Sequence, residues 1–95
     1  MSLEALANKY IVSAEKVLAE LQVKKATISV SEGDVTKVLG WVADYLADAK
    51  YYKSAGRFET SLTSVAYCEG LLDALRLLGA VTFEWPANQE NKPLS

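Results

Sequence analysis

The sequence predicts an all-α fold: a three-helix up-down-up bundle built on a helical hairpin of its second and third helices, with a short C-terminal extended strap. Three observations predict it. Apolar residues recur at spacings of three and four through three separate segments, the period of one helical face. Glycines stand where the second and third segments end, at Gly56 and Gly79, and glycine accepts the left-handed conformation common just past a helix. The break at Gly56 is so short that the helices on either side must run antiparallel. With 95 residues, the chain buries only about 60–68% of the surface its unfolded form exposes, enough for one modest core. Residues 1–86 are therefore expected to form a single domain and the polar segment 87–95 a disordered tail.

The first helix is carried by Leu3, Leu6, Ala7, Tyr10, Ile11, Ala14, Val17, Leu18 and Leu21. Ser2 is placed to cap it, Glu4 suits its first turn, and Lys24 and Lys25 are expected to meet the negative end of its dipole. Thr27–Val30 is rich in β-branched residues and breaks the period, and Ser31-Glu32-Gly33-Asp34 reads as a turn in which Ser31 or Asp34 caps the next helix. That second helix carries Val35, Val38, Leu39, Val42, Tyr45, Leu46, Ala49 and Tyr52. The third runs from Arg57 to Leu78 and contains Gly70, which predicts a close crossing with the first helix. Beyond Gly79, the alternation of Val81, Phe83 and Trp85 up to Pro86 predicts an extended segment that crosses the end of the bundle as a strap or joins a neighbouring chain, the strap being favoured because an exposed aromatic strand invites aggregation.

Composition removes much chemistry. There is no His, which excludes Ser-His-Asp and Cys-His nucleophile pairs, HExxH zinc sites and Glu-x-x-His di-iron bundles. The one Cys, Cys68, can form neither an internal disulfide nor a thiolate cage, as in proteins of reducing compartments. No run of about 18 apolar residues is present and the N-terminus has no basic lead into an apolar block, so a cytoplasmic protein without membrane contact is expected.

Three groups of residues carry what functional signal there is. On the third helix, Glu69, Asp73 and Arg76 continue the face begun by Phe58, Leu62, Val65 and Ala66, while Cys68, Leu71, Leu72, Leu75 and Leu78 rotate away from it. With Asp44 and Asp48 of the second helix, these form a candidate polar groove. Carboxylates one turn apart are what a hard divalent cation or a nucleotide-bound metal would require. The plainer reading is a solvated ion-pair network, since Asp73 and Arg76 are an ordinary i,i+3 pair and Asp44 and Asp48 lie opposite the apolar stripe. The carboxylate spacing of all-helical nucleotide pyrophosphohydrolases is not matched. Second, Lys50, Lys53 and Arg57 gather with Tyr51 and Tyr52 around the turn, a pattern that can meet phosphates and stacked bases. Cations in a last helical turn are favoured by its dipole without any partner, and a formal net charge of −2 weakens non-specific affinity for nucleic acid, so RNA contact is the lesser expectation. Third, Trp41 and Tyr51, at or beyond the edge of the second stripe, combine with Phe83 and Trp85 of the strap as a candidate interaction surface.

Three segments, Tyr45-Leu46-Ala47-Asp48-Ala49-Lys50-Tyr51-Tyr52, Gly56-Arg57-Phe58 and Ala66-Tyr67-Cys68-Glu69-Gly70-Leu71-Leu72-Asp73-Ala74-Leu75, together resemble a family of short archaeal helical proteins, domain of unknown function 357. The resemblance covers the second and third helices by motif and the first by its stripe alone. It implies a small helical bundle and assigns no activity. Residues and resemblance together lead to the expectation of a non-catalytic module, with no catalytic residues, cofactor or metal, that binds a protein partner or a second copy of itself. The rival expectation is a metal- or nucleotide-binding helical protein.

Overall fold

The computed structural model describes residues 2–24 and 27–86; the expected tail, 87–95, lies outside them. Its helices are α1 (Leu3–Glu20), α2 (Glu32–Ser54) and α3 (Phe58–Leu77), with no strand among the described residues. The chain is all-α, and α2 and α3 pack against each other as the expected antiparallel hairpin.

Local chemistry sets the helix starts. Ser2 caps α1, its Oγ accepting from the Ala5 N–H at 3.0 Å. Ser31 caps α2 in a reciprocal capping box: its Oγ accepts from the Asp34 N–H at 3.0 Å, and the Asp34 carboxylate accepts from the Ser31 N–H at 3.1 Å. Of the two caps expected for α2, Ser31 is therefore the cap and Asp34 its partner.

Both hairpin helices end in the same way. Gly56 and Gly79 take φ of 76° and 79°. At the first end the Gly56 N–H donates to Lys53 O (3.1 Å) and the Arg57 N–H to Tyr52 O (2.8 Å). At the second, Gly79 donates to Arg76 O (3.0 Å) and Ala80 to Leu75 O (2.8 Å). These are paired 5→2 and 6→1 Schellman bonds, which satisfy the last carbonyls while the left-handed glycine turns the chain back. The first reverses α2 into α3; the second sends the strap back along α3.

The hairpin seam has a seven-residue repeat. Val35, Val42 and Ala49 on α2 and Ser61, Cys68 and Leu75 on α3 stand seven apart, with Ala49 against Ser61 and Val35 beside Leu75, a spacing that keeps one edge of each helix facing the other. Val42, Ala49, Cys68 and Leu75 are the buried side chains among the described residues. At the turn end the seam is polar: the Ser61 hydroxyl donates to Ala49 O at 2.7 Å. Along one flank the Tyr45 and Tyr67 rings stack at 4.5 Å and 14°.

The first helix departs from the expected arrangement. It forms, but among the described residues it makes no packing contact with α2 or α3 and buries none of its side chains. Leu18, on this stripe, is 74% exposed. The cover that α1 was expected to lay over the common core is thus not made within this chain. Two smaller expectations change with it. Gly70 has open space where a Cβ would stand, so no close helix crossing explains it. The helix stops at Glu20 with no basic residue in its last turn, because Leu21 turns to extended backbone (ψ 154°) before Lys24 is reached. The connection then passes the open end of the hairpin, where Ile28 and Val30 line a groove of about 460 Å³ with Val35, Leu75, Leu78 and Ala80.

Candidate interaction surface

The strap produces the densest cluster of polar and aromatic side chains. After the Gly79 reversal, residues 81–86 run without regular structure and bring Phe83 and Trp85 over the last turns of α3. The Trp85 indole N–H donates to Asp73 Oδ1 at 2.8 Å. The same oxygen accepts from Arg76 Nη2 at 3.4 Å. The Arg76 guanidinium lies 5.6 Å from the Phe83 ring centre, and Phe83 meets Trp85 edge to face at 5.1 Å and 86°. One carboxylate oxygen thus ties the strap to α3, and the cation beside it lies near an aromatic ring. Arg76 Nε is enclosed and has no hydrogen-bond acceptor among the described residues, a local cost that the neighbouring contacts must offset.

The expected polar groove is therefore assembled differently. Asp73 and Arg76 come together beneath the strap rather than across from α2, while Asp44 and Asp48 are exposed on α2. Glu69 is half-buried one turn before Asp73. Among the described residues no three Asp, Glu or Cys side chains converge in a way that could hold a metal ion. Wheel geometry explains this: Asp44 and Asp48 sit on the back of α2, about 120–160° from the seam at ~100° per residue, and cannot turn toward α3.

The four residues of the expected aromatic surface do not share one face. Phe83 and Trp85 are half-buried against their own α3. Trp41 is 48% and Tyr51 67% exposed, and their separation of ten positions puts them about 80° apart around α2 and ~15 Å apart along it. At the turn, the Arg57 guanidinium lies 4.9 Å from the Tyr52 ring centre, and Tyr51 meets Tyr52 edge on at 5.2 Å. Arg57 thus lies over an aromatic ring, while Lys50 and Lys53 point into solvent.

Cys68 is sealed in the seam at 3% exposure. Burial raises its thiol above the ordinary value of 9.0, and the nearby Glu69 charge raises it further. It is a packing residue and stays a thiol at neutral pH.

Two features of the site lay beyond the sequence reading. The Tyr45–Tyr67 stack was signalled by symmetry, each tyrosine standing eleven residues from Gly56. The Trp85–Asp73 bond had no such signal, since it depends on the direction in which Gly79 sends the strap.

The family model described as "Protein of unknown function (DUF357)" matches residues 9–81. The chain belongs to this family. The DUF357 match takes in most of α1, the whole hairpin and the start of the strap, so the first helix is part of the family's pattern along with the motif-bearing pair. No curated protein and no solved structure matches the chain. Among the described residues no helix is long and apolar enough to cross a membrane.

Proposed function

We propose that this DUF357 chain is a non-catalytic interaction module that associates with a protein partner or with a second copy of itself. The observation that carries this reading is α1: a helix with an apolar stripe from Leu3 to Leu21 and no buried side chain. Isolated helices of this length are marginal in water, and most helical stability comes from packing of the apolar face. A stripe of this kind is a binding surface awaiting its complement. On the hairpin, exposed Trp41 and Tyr51 extend the apolar area, whereas Phe83 and Trp85 serve it indirectly by capping the end of α3.

The rival reading, a divalent-metal or nucleotide groove formed by Asp44, Asp48, Glu69, Asp73 and Arg76, has less support, because the Trp85 indole and the Arg76 guanidinium already engage one oxygen of Asp73. RNA contact through Lys50, Lys53 and Arg57 is likewise weaker, with Arg57 stacked over Tyr52. The deciding experiment is the solution mass of the full chain by light scattering coupled to size exclusion, together with calorimetric titration of magnesium, manganese and a nucleotide panel. A dimer, or a monomer that binds a partner from its own cell extract, with no heat in the titrations, supports the module. A strict monomer with no partner and a magnesium or nucleotide isotherm abolished by Asp73→Ala supports the rival.

A further inference from the structure

Among the described residues two apolar surfaces are left without cover, and they match. The first is the α1 stripe. At ~100° per residue its apolar side chains fall within about 140°, with Glu4 and Glu15 along one flank and Lys9 and Lys16 on the far side. The second lies on the hairpin. In an antiparallel pair, residues turned in the same sense from the seam share a side, so Leu39 and Leu46 of α2 stand on the flank of Phe58, Leu62 and Val65 of α3, opposite the Tyr45–Tyr67 stack. Leu39, Leu46, Phe58 and Leu62 are exposed. On the α2 side Lys50 and Lys53 rim this flank; at its far end are Asp73 and Arg76 with the strap over them.

We propose that α1 of one chain docks on this flank of a second copy, whose own α1 returns to the first, giving a reciprocal helix-exchanged dimer. The inference rests on the self-association reading and names its surface. Three features favour a second copy. The connection runs past the open end of the hairpin, with Ile28 and Val30 against it and Leu21 extended, which leaves α1 formed and clear of its own hairpin. That open form is what exchange requires, and exchange of an identical element is a low-cost route to a closed two-fold assembly. Charge is complementary: antiparallel docking on α2 brings the Glu4 end of α1 to the Lys50 and Lys53 end of the flank. Area is sufficient as well, for burying two stripes on two flanks removes on the order of 2,000 Å² from water, above the ~1,600 Å² of a standard interface and within the range of obligate homodimers.

Light scattering of the full chain, followed by isotope-filtered NOE spectroscopy on an equal mixture of labelled and unlabelled chains, tests this. Expected are a mass twice the 10.4 kDa of one chain and contacts between chains from Tyr10 and Ile11 to Leu46 and Leu62, and from Leu18 to Leu39. Ala14→Glu, at the centre of the stripe, should halve the mass while hairpin contacts such as Tyr45 to Tyr67 persist. A dimer whose α1–hairpin contacts all lie within one chain overturns the exchange and leaves self-association standing. A dimer with no α1–hairpin contacts at all does the same. A monomer at every concentration overturns both.

Discussion

The hairpin and α1 are built from similar residues and fare differently. Each has apolar stripes, and α1 and α2 have side-chain-capped N-termini, yet α2 and α3 bury a seam and α1 buries nothing. The difference lies in the connections. Two residues, Ala55 and Gly56, with Arg57 closing the paired bonds, reverse α2 into α3 and place Ala49 against Ser61 at once. The segment between α1 and α2 runs from Leu21 to Ser31 and has no glycine-centred reversal. A tight turn makes packing a local event, whereas a long connection leaves it to whichever surface the helix meets.

The largest expected effect separates the two regions directly. Leu75→Ala, in the seam, should cost about 2–4 kcal/mol in urea denaturation. Leu18→Ala, chemically the same change on α1, should shift hairpin stability by less than about 0.5 kcal/mol in dilute solution, where α1 is uncovered. It should instead make unfolding less dependent on concentration by weakening association. Equal costs at high dilution would show that α1 packs on its own hairpin.

Next in size is the strap. Asp73→Ala removes the acceptor of the Trp85 indole and the partner of Arg76, and should cost about 1–2 kcal/mol. In a Trp41→Phe background, red-shifted Trp85 emission would report release of the strap, and an unchanged spectrum would show that ring packing alone holds it. Ser31→Ala dissolves the capping box and should cost about 1 kcal/mol, seen as faster amide exchange in the first turn of α2. Gly70→Ala works the other way. With open space at the Cβ position, it should stabilise α3 by roughly 0.5–1 kcal/mol in thermal unfolding. A loss would reveal a partner seated closely on that face.

The pH prediction is the smallest. The folded state raises the Cys68 thiol above 9.0, so the native chain holds that proton more tightly than the unfolded one. Its contribution is fully present at neutral pH and is lost as pH rises through the elevated folded value. Urea midpoints of the wild type should therefore fall faster above pH 9 than those of Cys68→Ala, with parallel profiles below it.

Periodicity and local chemistry determined the all-α class, three helices, the Ser2 and Ser31 caps and the glycine stops at 56 and 79. Each depends on residues within a turn or two of one another, so neighbouring sequence suffices. The hairpin followed because its connection is too short to allow another path. Tertiary structure alone decided that Asp73 answers to Trp85 rather than to Asp44, and that Phe83 and Trp85 cover α3 while Trp41 and Tyr51 remain outside. It also decided that α1 stands clear of the hairpin. These outcomes turn on the direction of two connections and on which apolar faces then meet, and an apolar stripe specifies only that a surface must be covered, not which surface covers it.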